Sequence, residues 1–305
     1  MAGQSKQSLL VVGTVAFDSI ETPHGSIDDA LGGSATFFSY AASFFIAPRL
    51  VSVVGEDFPD ENRKLLEDRK VDMRGLAVEA GKTFRWKGRY HEDMNTRDTL
   101  EVHLNTFGTF DPKLPEAFRD STHVFLANGS PTVQAKVLDQ IHKPELVLAD
   151  TMDLWINIQK PDLLALLPRI DGLLLNDSEA IMLTGEKNLV KAGQAVRKLG
   201  PRFVILKKGE HGAILFTPDG VFVMPAFPTE NVLDPTGEGD SFAGAILGYL
   251  ASDDSPAPGR LRRAMAYGTV VASLTVEGFG LDGLRKTDRA EIEKRLEAYR
   301  AMLVV

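Results

Sequence analysis

Asp234-Pro235-Thr236-Gly237-Glu238-Gly239-Asp240-Ser241, running on into the apolar segment 242–250, decides how this chain is read. Two glycines flank a single residue, an acid follows, and then polar side chains nearly vanish. The pattern predicts a tight turn feeding a buried helix. Glycine has no Cβ, so the backbone at 237 and 239 can take φ > 0 and lie close to a ligand. The N–H groups of residues 237–240 then fall in the first, unpaired helical turn, which with the helix dipole forms an anion site. Asp240 stands at its mouth. Taken alone, the stretch reads first as an N-cap aspartate on a core helix. The surrounding chain shifts the balance.

Working outward, residues 9–13 (Leu-Leu-Val-Val-Gly) are a continuous apolar run closed by glycine, the pattern of a parallel strand buried on both faces. Similar runs lie at 50–54, 124–127, 146–149, 172–175 and 203–206. They end at Gly55-Glu56-Asp57, Ala127, Asp150, Asn176 and Lys207-Lys208-Gly209. Helical patterns separate them, at 35–45 after Gly32-Gly33-Ser34, 59–69, 131–141, 161–167, 179–183 and 189–199. Residues 213–216 and 221–224 read as a hairpin, and 260–276 and 288–302 as closing helices. Strand–helix alternation predicts a three-layer α/β/α fold with a mostly parallel central sheet, one domain over residues 1–305. Ligands on such sheets sit at the carboxyl ends of the strands, where the polar residues collect.

Two segments interrupt the alternation. Residues 83–91 and 99–106 alternate apolar and polar positions, as half-exposed antiparallel strands do. They predict a small inserted β-sheet, a lid, with lid segments at about 14–30 and 81–108. Residues 21–29 read as turn-rich.

Composition excludes several classes. Of 305 residues, 44% are hydrophobic and 25% charged, as in a folded soluble protein. The net charge of −8 and the lack of a Lys/Arg run argue against a nucleic-acid partner. The absence of cysteine removes disulfides, thiolate nucleophiles and Cys-type zinc sites. Residues 1–8 are polar and no apolar run is long enough to span a bilayer, so a cytoplasmic protein with no membrane partner is expected.

An anion hole beside a carboxylate suits phosphoryl transfer to an alcohol, a reaction run mostly by positioning and charge stabilisation. Neither a GxxxxGK[ST] loop nor a protein-kinase motif set is present. The order Gly32-Gly33, Asn176-x-x-Glu179, Lys207-Lys208-Gly209-Glu210 with Gly212, then Asp234-x-Thr-Gly-x-Gly-Asp240 resembles the PfkB, or ribokinase-like, family of carbohydrate and nucleoside kinases. The resemblance covers residues 11–280. It implies ATP and Mg²⁺ as cofactors and a sugar or sugar-like acceptor, with an adenosine-type nucleoside as the alternative. Asp240 would be the catalytic base, and Gly237, Glu238 and Gly239 would supply anion-hole amides. Asp18, Gly32, Gly33 and Phe37 would face the acceptor. Asn176, Lys208, Gly209 and Thr236 would border the nucleotide, with Asn176 and Glu179 near magnesium. Asp234 and Thr236 match positions that hold K⁺ in some members. Exposed lid strands offer edges for a homodimer.

Other readings of these residues stand beside this one. Asn176 also suits a helix cap, Asp18 a polar site on a half-exposed strand, and Phe84, Trp86 and Tyr90 lid packing. Three positions depart from the family pattern: Ala16 and Phe37 replace asparagines, and Glu238 replaces a small residue. The first two bear on the acceptor. The third supports a rival from another class, a nucleotide- or sugar-binding regulator without turnover.

Overall fold

The computed structural model describes residues 7–252 and 259–303. Residues 1–6, most of the polar N-terminal segment, lie outside them. The first half of the chain forms β1 (Leu9–Val12), β2 (Ala16–Thr22), β3 (Gly25–Gly32), α1 (Ser34–Ala42), β4 (Pro48–Gly55), α2 (Asp60–Asp68) and β5 (Asp72–Glu79). Then come β6 (Phe84–Tyr90), β7 (Arg97–His103), β8 (His123–Leu126), α3 (Pro131–Leu138), β9 (Leu146–Asp150), α4 (Asp153–Ile158) and α5 (Lys160–Leu166). The second half adds β10 (Gly172–Asn176), α6 (Asp177–Thr184), α7 (Leu189–Lys198), β11 (Phe203–Lys207), β12 (Ala213–Thr217) and β13 (Gly220–Met224). It closes with α8 (Glu238–Ser252), α9 (Arg260–Thr275), α10 (Asp282–Arg285) and α11 (Arg289–Met302).

Among the described residues the main sheet runs β13-β12-β11-β10-β9-β8-β1-β4-β5. It is parallel from β5 to β11, with β12 and β13 antiparallel at the edge. Successive residues of one strand enter opposite cores. Leu9 and Val11 join the layer built on α1, α8 and α9, whereas Leu10 and Val12 join the layer built on α3, α5 and α7. This is why the strands are apolar throughout: both faces are covered. The strand order reverses beside β1, between β4 and β8, so a crevice opens at the carboxyl ends there.

The apolar stretch after the glycine turn is α8, and it packs on α1 unusually closely. A Cβ on Gly244 would lie 2.4 Å from the Phe38 carbonyl oxygen, and one on Gly248 3.0 Å from the Ala42 Cα. Glycines four apart on one helix face let the two backbones approach. Phe38 in turn stacks on Phe125 of β8 at 4.4 Å.

The small sheet has the order β3-β2-β6-β7, with β2 and β6 parallel. The turn-rich reading of 21–29 is corrected: these residues finish β2 and begin β3, a hairpin turning before Gly25. The signal was hidden because β3 carries mostly exposed polar side chains. β5 also went unread, since Arg74 and Gly75 break its apolar pattern and a register shift breaks its pairing. The predicted strand 99–106 lies earlier, as Arg97–His103, and residues 105–109 form a 3₁₀ turn. No described helix is long and apolar enough to cross a membrane.

Gly244→Ala should cost about 1–3 kcal/mol, as overpacking does. Urea unfolding measures it, and an unchanged midpoint would show that α1 and α8 separate freely.

Candidate active site

One side of the candidate site begins where β1 hands over to the small sheet and α1. Thr14 Oγ1 accepts from the Ser34 N–H at 2.8 Å, and the Thr14 N–H donates to Ser34 Oγ at 3.2 Å. These bonds fix Gly32 and Gly33 over β2. A Cβ on Gly32 would lie 2.0 Å from Asp18 Oδ2, and the Gly33 N–H, at φ 91°, donates to that oxygen at 3.1 Å. Glycine at 32 thus makes room for a carboxyl. Asp18 is buried rather than half-exposed. Burial pushes its pKa up to about 7; the Gly33 N–H pulls it down, the Asp234 charge raises it further, and Arg97 opposes.

The glycine turn is held from below. Asp234 is fully buried; its Oδ1 accepts from the Thr236 N–H at 2.8 Å and its Oδ2 from the Gly280 N–H at 2.9 Å. Both oxygens therefore shape the loop. Thr236 Oγ1 lies 3.4 Å from the Tyr90 hydroxyl, joining the turn to the lid. Gly237 has φ 76°, and a Cβ on it would lie 2.3 Å from the Phe37 ring. Phe37 is only 1% exposed. The structure places it beneath the turn, in the core, not at an open pocket surface. Glu238 starts α8, and its N–H donates to the Pro235 carbonyl at 3.1 Å.

Asp240 sits in the first turn of α8. The helix dipole favours its ionised form, yet its pKa is pushed up to about 7. Burial is the main cause and Asp150 adds to it; Lys207 opposes, Asp18 raises, and Arg97 lowers. The dipole alone does not decide its state.

Strands β9, β10 and β11 deliver the rest. Lys207 Nζ donates to Asp150 Oδ2 at 2.9 Å. Burial would lower the lysine pKa, but Asp150, Glu179 and Asp240 outweigh it and hold the ammonium charged. Asn176 and Glu179 form a capping box on α6: Asn176 Oδ1 accepts from the Glu179 N–H at 2.8 Å, and Glu179 Oε2 from the Asn176 N–H at 2.7 Å. The capping reading of Asn176 is correct as far as it goes. It also orients Glu179, whose carboxyl burial pushes up to about 7 while Lys207 pulls it down. Lys207 and Asp150 were not singled out as site residues in the sequence. Their signal was position alone, at two strand ends of one sheet edge.

A cavity of about 350 Å³ opens beside this cluster. Lys207, Gly209, Glu238 and Phe242 line one side, and Thr269, Ala272, Ser273 and Val276 of α9 another. Lys208 and Asn176, expected beside a nucleotide, do not line it. The lid tip, residues 93–95, forms part of its rim, and Asn95 Nδ2 donates to Glu210 Oε1 at 3.3 Å. The lid therefore spans from Asp18 to the cavity. Burial raises the Glu238 pKa and Lys207 opposes. No group of three or more His, Cys, Asp or Glu side chains among the described residues is arranged to hold a metal by itself.

A family model described as pfkB family carbohydrate kinase matches residues 6–287. The chain is 31% identical over 249 residues to a cytidine kinase of Thermococcus kodakarensis, covering 79% of this chain and 88% of that protein. It is 27% identical over 311 residues to a nucleoside kinase of Methanothermobacter thermautotrophicus, covering 96% of each. The fold superposes on an E. coli structure described as a ribokinase II in complex with ATP and Mg²⁺, with a TM-score of 0.79 at 20% identity over 96% of this chain and 99% of that one.

The raised carboxyls make stability depend on pH. A folded Asp240 binds its proton more tightly than the unfolded chain, so the stability it contributes is full below about pH 4 and is lost as pH rises through about 7. Asp240→Asn removes that loss. Its melting temperature relative to wild type should rise between pH 5 and pH 8. A pH-independent difference would refute the shift.

Proposed function

Because this chain belongs to the pfkB family of carbohydrate kinases, we propose that it transfers the γ-phosphoryl group of ATP to a hydroxyl of a sugar or nucleoside, with Asp240 as general base. The observation that carries this is the Asp240 carboxyl. It lies in the first turn of α8, within electrostatic reach of Asp18 on one side and Lys207 on the other, with a pKa near 7. A base is most effective when its pKa is near the working pH.

Asp18 accepts a hydrogen bond from the acceptor and orients it. Asp240 takes the proton of the attacking hydroxyl as the new O–P bond forms and the bond to the β-phosphate oxygen breaks. The Gly239 and Asp240 amides in the first turn of α8 and the Lys207 ammonium meet the charge on the transferring group, whereas the Glu238 amide, expected among them, is engaged by the Pro235 carbonyl. Magnesium keeps most of its waters and binds through phosphates and one or two carboxylates. Asp150 and Glu179 are hard oxygen donors at the right edge and fit that role. When bound, the ion offsets phosphate charge. The reading needs no potassium ion, and Asp234 and Thr236 are read through their loop bonds alone. Two of the proteins named above are a cytidine kinase and a nucleoside kinase by name, which favours a nucleoside acceptor, while the third is described as a ribokinase.

Asp240→Asn keeps the size of the side chain and removes the proton acceptor. It should lower kcat by about 10²-fold or more while nucleotide binding stays similar. The assay is ADP release over a panel of sugars and nucleosides. Near-normal kcat in the variant would sink the mechanism. ATP binding with no turnover on any alcohol would favour the regulator.

A further inference from the structure

The lid carries an aromatic surface that the reaction above does not use. Strands β2 and β6 are parallel, with Asp18 opposite Trp86 in register. Cross-strand partners project from the same face of a sheet. The indole therefore stands beside the acceptor carboxyl. That face is turned toward the main domain: Asp18 meets Gly33, and Tyr90, further along β6, meets Thr236. The other face carries Lys87 and Arg89, both paired with Glu21.

The ring is laid down deliberately. A Cβ on Gly88 would lie 2.1 Å from the Trp86 ring, so glycine there lets the indole rest on the strand. Its Nε1 donates to Thr99 Oγ1 at 3.4 Å. The Arg97 guanidinium lies 5.7 Å from the ring centroid, and the same charge acts on Asp18 and Asp240. Val102, opposite Trp86 on β7, is 48% exposed. Trp86 itself is half-buried. Meanwhile Ala16 is buried on β2, and Phe37 is buried under the glycine turn. Neither supplies a hydrogen bond to a polyhydroxy sugar.

We propose that Trp86 is the platform on which an aromatic base of the acceptor stacks, so that the site selects nucleosides over free sugars. This rests on the kinase reading above. Asp18 holds the ribose hydroxyls, and the base takes the place over the indole, beside Val102, that the Arg97 guanidinium covers in this structure.

Two measurements test it. The sequence has two tryptophans, so Trp155→Phe leaves Trp86 as the sole indole reporter. Cytidine, uridine, adenosine and inosine are titrated against ribose. At least one nucleoside should quench Trp86 emission with a midpoint near its KM, and ribose at the same concentration should not. For that nucleoside, Trp86→Leu should lower kcat/KM about tenfold or more, mainly through KM, whereas Trp86→Phe should stay within about threefold. Turnover of a nucleoside with an unmoved emission, or with a KM unchanged in Trp86→Leu, overturns the stacking and leaves the kinase reading standing. No ADP release with any nucleoside or sugar overturns the kinase reading itself.

Discussion

One half-buried ammonium organises the site. Lys207 lies 2.9 Å from Asp150 and within electrostatic reach of Glu179, Glu238 and Asp240. Asp150 comes from the end of β9, Glu179 from the start of α6, and Glu238 and Asp240 from the first turn of α8, so the one ammonium offsets charge gathered from three elements. A buried charge left without its partner costs about 3–5 kcal/mol. The parallel sheet makes this meeting possible. Three neighbouring strands, β9, β10 and β11, end at one edge, and α8 points its first turn at the same place. Burial, which the Lys207 charge only partly offsets, pushes the Glu179 and Asp240 carboxyls up to about 7. A group suspended between protonation states is what a base for an alcohol needs.

The layered fold was legible because both-face burial writes itself into strand composition. Leu9–Val12, Gly172–Asn176 and Phe203–Lys207 are apolar for a physical reason that a single sequence displays. The glycine turn was legible because its glycines have no substitute: Gly237 faces the Phe37 ring. What stayed hidden was set by neighbours distant in the chain. β3 has no apolar stripe, since it is the edge strand of the small sheet and most of its length is exposed or half-buried. Asp18 suits a half-exposed strand position as well as a pocket in the sequence, because nothing local shows that Gly32 and Gly33 fold over it. Phe37 read as a pocket residue, because spacing along a helix does not reveal which side the glycine turn will cover. Lys207 and Asp150 are 57 residues apart, and only the register of three strands brings them into contact.

Glu238 then acquires a physical explanation. In the turn, position 237 is closed by the Phe37 ring and position 239 by Lys207, whose Nζ would sit 3.0 Å from a Cβ there. Position 238 alone projects into open space, the cavity itself. The constraint on a charged side chain there is electrostatic as well as steric. A carboxylate facing a polyphosphate is repelled unless a cation or a proton intervenes. Lys207 supplies one opposing charge, and burial has already raised the Glu238 pKa toward the neutral form. The glutamate is therefore compatible with an anion site beside it, because the lysine that gathers the other carboxyls also moderates this one.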